Sequence, residues 1–174
     1  DVPPPVGPPP SEEPPPDEPL SLDEAYLDVT ADKLNIGSAI EVAKAIKQAI
    51  KQETQLTASA GVSVNKFIAK VASGMQKPDG LTFIHPAKIE TFMEQLPVKD
   101  FHGIGRVTAD KMNKAGIFTG ADLKKLSLDE MVKHYGKPGQ FYYHLVRGND
   151  NRSVEANRET KSISVEDTFA TDVL

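Results

Sequence analysis

Apolar and polar positions divide the chain into a stretch that alternates two periodicities and a stretch with one. Over residues 20–30 (LSLDEAYLDVT), Ala25, Leu27 and Val29 alternate with Tyr26, Asp28 and Thr30, the period-two signature of a strand. A helical stripe follows: Ala39, Val42, Ala43, Ile46 and Ile50, with Ser38 and Glu41 at capping-box spacing in front of it. Residues 56–64 (LTASAGVSV) are small and β-branched, which predicts a buried strand. Ile68, Val71, Ala72 and Met75 fall at i, i+3, i+4 and i+7, a second helix that stops at the turn Lys77-Pro78-Asp79-Gly80. A short strand, LTFI, comes next. Pro86 then opens a helix with the stripe Ile89, Phe92, Met93 and Leu96, and Pro97 closes it.

From residue 98 the pattern is helical throughout, with short loops. VKDFHGIGRVTADKMNKAGI predicts a short helix, a Gly-Ile-Gly hairpin and a second helix ending at Gly116. Ser127 and Glu130 form another capping box, and Gly136 and Gly148 stand where helices end. KSISVEDTFATDV alternates again and opens a further strand. The reading is α+β, with a strand–helix unit over residues 20–96, a helical unit over 97–160, and residues 161–174 as the start of another element.

Composition changes this picture at one end. Ten of the 14 prolines lie in residues 1–19, with five acids and no base, so that stretch reads as a disordered or polyproline tail. Charge changes it elsewhere. The chain totals −5, yet residues 33–161 contain all 20 bases and only 13 acids, while residues 20–32 hold Asp23, Glu24, Asp28 and Asp32 and no base. A short acidic element beside a long basic one points to a polyanionic partner with a cation near the acids. The absence of cysteine excludes disulfides, thiolate metal sites and a Cys nucleophile. No apolar run reaches the roughly 20 residues of a membrane helix, no basic-then-apolar leader opens the chain, and the four histidines form no HExxH pair.

Three motifs carry candidate chemistry. Asp23 and Glu24 are adjacent, and adjacent strand residues point to opposite faces. They share a cation only at a hairpin tip, a bulge or a strand end, which Pro19-Leu20-Ser21 permits; a solvated turn with two surface acids is the competing reading. Two hard carboxylates with a phosphate suit Mg²⁺. Lys77, at a helix end before a tight turn, is either a dipole-complementing surface lysine or a point charge for phosphate. In FHGIGRVTADKM, glycines permit close approach of a phosphate, and the amides of the following helix point at it. A dinucleotide fingerprint is excluded there, because Thr108 stands at the third glycine and no strand precedes the motif. His102 reads as a loop or packing residue, and Tyr142 and Tyr143 as helix packing.

SLDEAYLDVT, SAGVSVNKFIAKVASGMQKPDG, FHGIGRVTADKM and KSISVEDTF, in this order, closely resemble the Y-family translesion DNA polymerases, the DinB type in particular, from about Glu18 to Leu174. The resemblance implies a DNA-directed DNA polymerase. Residues 20–96 would be the C-terminal part of the palm. Residues 97–160 would be a thumb with a helix-hairpin-helix motif, and residues 161–174 the start of the little finger. Asp23 and Glu24 would be metal ligands for two Mg²⁺ ions, with Glu24 the catalytic carboxylate. Lys77 would touch the incoming triphosphate. Gly103, Ile104, Gly105, Arg106, Thr108 and Lys111 would hold the DNA backbone. The implied partners are primer–template DNA and dNTPs. The family also binds a sliding clamp, mainly through regions not present here, so no contact is assigned. A monomer in the bacterial cytoplasm, without membrane contact, is expected. The family's N-terminal palm strand, with its further metal-binding aspartate, and its fingers have no counterpart in residues 1–19. The resemblance is therefore to a fragment, or to a chain with a replaced N-terminus, whose metal site is incomplete. A DNA-binding chain without catalysis would share the basic stretch and the hairpin. A nucleotide cyclase would account for the acids but not for the hairpin.

Overall fold

The computed structural model describes residues 17–31 and 36–156. Most of the proline-rich stretch and the strand expected after residue 161 lie outside the described residues. Strands β1 (Asp17–Ser21) and β2 (Glu24–Leu27) form an antiparallel hairpin with Leu22 and Asp23 at its tip. The strand and turn read over 20–30 thus appear as the turn at Leu22–Asp23 and β2, which ends at Leu27. The Ser21 hydroxyl donates to Asp23 Oδ1 at 2.7 Å, a local bond of the kind that favours turns. β1 begins at Asp17, inside the stretch read as tail, and Glu18 in it is buried.

In β2 the polar positions are the less exposed ones. Glu24 and Tyr26 are half-buried, while Ala25 and Leu27 are exposed. The polar face turns inward because lysines of a neighbouring helix meet it there.

Helix α1 (Ala39–Thr54) follows the predicted stripe. Ser38 Oγ accepts from the Glu41 amide at 3.3 Å, and the Glu41 carboxylate pairs with Lys44 at 2.8 Å. β3 (Ala60–Val62) and β4 (Leu81–Phe83) pair in parallel, joined by α2 (Lys66–Met75) as the crossover. α2 lies directly on β3. A Cβ at Gly61 would stand 2.0 Å from the Ala69 carbonyl oxygen, so only glycine permits this approach. Among the described residues the two strand pairs are separate ladders rather than one palm sheet. The hairpin is joined to α2 by side chains, not by backbone pairing.

The helical part comprises α3 (Ile89–Gln95), entered through a 3₁₀ turn at Pro86–Lys88, then a 3₁₀ turn at Val98–Asp100 and α4 (Arg106–Lys114). After these come α5 (Gly120–Lys124), α6 (Leu128–Tyr135) and α7 (Lys137–Leu145). The Ser127–Glu130 capping box forms with both of its bonds. A second box, Thr119–Asp122, starts α5. Met93, Phe101, Met112, Leu123, Met131, Leu145 and Val146 fill the core, and Phe67 and Ile68 of α2 enter the same cluster. The Phe67 and Phe101 rings lie 5.5 Å apart. Met75, expected on the apolar stripe, is 55% exposed because α2 runs past the core at its C-terminal end.

Candidate active site and nucleic-acid interface

Asp23 stands at the hairpin tip, exposed, and Glu24 opens β2 just after a bulge between Pro19 and Ser21. Asp23 is thus in the turn and Glu24 at a strand end, and their side chains bond different partners, Ser21 and Lys70. Glu24 Oε2 accepts from Lys70 Nζ of α2 at 2.5 Å. Lys66, one turn earlier on α2, is buried and pairs with Glu18 of β1. Its ammonium also stands 4.9 Å from the centroid of the Tyr26 ring. Burial raises the Tyr26 phenol above its usual range, with nearby Arg152 opposing.

Sequence reasoning passed over Glu18, Lys66 and Lys70. The available signal was a pair of lysines four apart on an apolar helix, but pattern alone does not reveal that an oppositely charged hairpin covers them. The Asp150–Arg152 pair was passed over as well. Arg152 donates to both oxygens of Asp150, at 2.7 and 2.8 Å. Burial opposes ionisation of Asp150, but these bonds and the Phe67 amide outweigh it, and the carboxyl sits below its ordinary range.

Lys77 is exposed just beyond α2. The turn that carries it is pinned by Lys47, whose Nζ donates to the Asp79 carbonyl at 2.6 Å, Asp79 Oδ1 at 2.8 Å and the Gly80 carbonyl at 3.0 Å.

In the Gly-Ile-Gly turn, Ile104 is the buried plug, 6% exposed, and its amide donates to the Phe101 carbonyl at 2.9 Å. Tyr142, buried as expected of a packing residue, donates its hydroxyl to the Gly103 carbonyl at 3.3 Å. Gly103 has φ +95°, which favours glycine for backbone reasons. Gly105, the N-cap of α4, has φ −73° and open space where a Cβ would stand. Nothing in the fold demands glycine at that position. Arg106 projects into solvent and Thr108 is half-buried. Lys111 donates to the His134 carbonyl at 2.7 Å and lies over the Tyr135 ring, so part of its ammonium capacity serves the fold.

The glycine turn borders a groove of about 750 Å³, lined by Lys70, Val71, Phe92, Lys99, His102 and Gly103 among others; Glu24 meets this lining through its bond to Lys70. Burial depresses the His102 imidazole below its ordinary range. Lys70 and Arg152 push it the same way and Glu24 opposes. Asp23 and Glu24 fit a hard divalent cation that keeps water and takes further oxygens from its ligand. Among the described residues they form no cluster of three or more metal-ligating side chains.

The impB/mucB/samB family matches residues 12–74, and the IMS family HHH motif matches residues 86–117. DNA polymerase IV of Leptospira interrogans is 52% identical over 157 residues, 90% of this chain and 43% of that protein. DNA polymerase IV 3 of Mesorhizobium japonicum is 54% identical over 157 residues, 90% of this chain and 44% of that protein. The crystal structure of DinB from Sulfolobus solfataricus superposes with TM-score 0.72 at 35% identity, covering 78% of this chain and 40% of that one. A Y-family DNA polymerase chimera gives TM-score 0.76 at 34% identity, covering 82% of this chain and 42% of that one. The chain spans less than half the length of the relatives it matches. On these matches, which enclose both the acidic hairpin and the glycine turn, the chain belongs to the Y family of DNA polymerases, of the DinB type.

Proposed function

We propose that this chain carries part of the nucleotidyl-transfer centre and the duplex grip of a translesion DNA polymerase, acting on primer–template DNA and dNTPs in the bacterial cytoplasm. Residues 20–96 act as palm, 97–160 as thumb, and 161–174 lead into the little finger. The observation that supports this best is the groove beside the glycine turn, whose lining includes both Gly103 and Lys70, the residue that pairs with Glu24.

In this reading the α4 N-terminus, Arg106, Thr108 and Lys111 hold backbone phosphates, and contacts of that kind position a duplex without reading its sequence. Asp23 and Glu24 hold Mg²⁺. When bound, two such ions would supply charge stabilisation for in-line attack of a primer 3′-hydroxyl on the α-phosphorus of a dNTP. Lys77, on its pinned turn, neutralises the triphosphate as a point charge. Without metal Lys70 holds the Glu24 carboxylate, and a bound cation would take its place.

Primer extension with Mg²⁺ and dNTPs, wild type beside Glu24→Ala, tests the reading, with duplex binding followed in parallel. Extension lost in Glu24→Ala with duplex binding retained is the expected result. Salt-sensitive duplex binding without extension in wild type would reduce the chain's role to holding DNA.

A further inference from the structure

Lys66 is in an unfavourable place. It is the first residue of α2, where the helix dipole disfavours a cation, and it is 8% exposed. A buried ammonium persists only when it is paired and its remaining protons find acceptors. Here the acceptors come from two other parts of the chain. Lys66 pairs with Glu18 of β1 and donates to the Ser153 carbonyl at 3.1 Å. Glu18 Oε2 in turn accepts from the Glu155 amide at 2.9 Å. The ion pair therefore binds the backbone of residues 153–155 at both of its ends, as a neighbouring strand would.

The same segment closes over the start of α2. Asp150 Oδ2 accepts the Phe67 amide at 3.0 Å, and Asn65 Nδ2 donates to the Gly148 carbonyl at 3.1 Å. Hairpin, α2 and residues 148–155 converge on a single charged joint.

Lys66 and Lys70 are four apart and share one face of α2, about 6 Å apart along its axis. Each reaches a different strand of the hairpin, Lys66 to β1 and Lys70 to β2. The two pairs differ in burial. Side-chain exposure is 9% and 6% at Lys66–Glu18, against 19% and 38% at Lys70–Glu24.

We propose that Glu18 and Lys66 are positioning residues, a buried clasp that fixes the base of the acidic hairpin to residues 153–155, so that the tip keeps its place when Glu24 exchanges Lys70 for another cation. This rests on the metal-binding reading of the tip for its consequence, but not for the clasp itself. The segment that leaves the helical part is thereby a structural partner of the acidic tip, and what displaces that segment displaces the tip.

The test uses two variants and two readouts on the full chain. Lys66→Arg keeps the charge. Glu18→Leu with Lys66→Met removes both charges, so no lone buried charge is left to unfold the protein. Backbone amide exchange is read by residue, and Mn²⁺ binding by electron paramagnetic resonance. The double variant is expected to exchange at least tenfold faster at residues 25–27 and 153–155, with α4–α7 unchanged, and to bind Mn²⁺ several-fold more weakly. Lys66→Arg should leave both close to wild type. Unchanged exchange at the hairpin, or equal acceleration in α4–α7, overturns the clasp. If wild type shows no Mn²⁺ binding that Glu24→Gln removes, the metal reading fails instead, and the exchange pattern alone decides the clasp.

Discussion

The helical part and the strand–helix part of this protein are held together by different forces. Of the eighteen hydrophobic residues buried among the described ones, eleven lie in residues 97–160 and three more, Ile89, Met93 and Leu96, along α3 and at its end; only Val42, Phe67, Ile68 and Ala72 lie before them. The hairpin contributes none of these. It is attached through Lys66–Glu18, Lys70–Glu24 and the bonds to residues 153–155. Apolar packing is non-directional and tolerates adjustment, whereas paired charges specify a geometry and fail when one partner is lost. The contrast matches the work proposed for each part. The thumb has to be a firm body that presents one turn to a phosphate backbone. The hairpin has to hold two carboxylates in a set orientation while keeping them accessible.

The largest effect that should separate the two parts is in the core. Phe101 is 2% exposed and meets Phe67 of α2. Phe101→Ala should cost about 3–5 kcal/mol, read as a lowered urea midpoint, because a buried ring leaves a cavity. Met75→Ala, on the exposed end of α2, should change stability by less than about 0.5 kcal/mol. If the two variants cost the same, the core does not bridge the two parts as described.

The helical part was largely legible in the sequence, because its stabilisation is periodic. The stripes, the Ser127–Glu130 box and Gly136 each state a local preference that the packing then uses. The site was legible only where its chemistry is local. Asp23-Glu24 and Gly-Ile-Gly announce themselves by adjacency. Glu18, Lys66 and Asp150 do not, because their partners lie 48, 87 and 83 residues away in the chain for the bonds that matter. The facing of β2 is hidden for the same reason: alternation marks the strand, but charge pairing with α2 is what turns Glu24 inward and leaves Ala25 and Leu27 exposed.

A smaller effect probes how the helical part is locked at one of its corners. Asp122 Oδ2 accepts the amides of Phe118 and Thr119, and Oδ1 pairs with Lys125. Those bonds, the Phe118 amide first, hold its carboxyl down at about 2, against an ordinary 3.8. A depressed carboxyl contributes stability that is full above its unfolded value and lost as pH falls through the folded one. Asp122→Ala should therefore cost about 1 kcal/mol at neutral pH. The gap to wild type should begin to close below about pH 4 and be mostly gone near pH 2, in urea titrations repeated across that range. A gap independent of pH would mean that the box acts through packing and not through the charge.

The smallest expected change in stability is the most telling about function. Gly103 and Gly105 differ in why they are glycine. Gly103 has φ +95°, and alanine there should destabilise the fold whatever the site does. Gly105 has an ordinary φ of −73°, open space around it and the N-cap position of α4. Serine is at least as good an N-cap as glycine, so Gly105→Ser should leave stability within about 0.5 kcal/mol of wild type. If a phosphate backbone lies against that turn, the added side chain occupies the space it needs. Duplex affinity should then fall several-fold, equally for unrelated sequences, with no change in the urea midpoint. Unaltered duplex affinity would show that the space beside Gly105 is not where the backbone lies, and the grip would have to be sought on Arg106 and the outer face of α4.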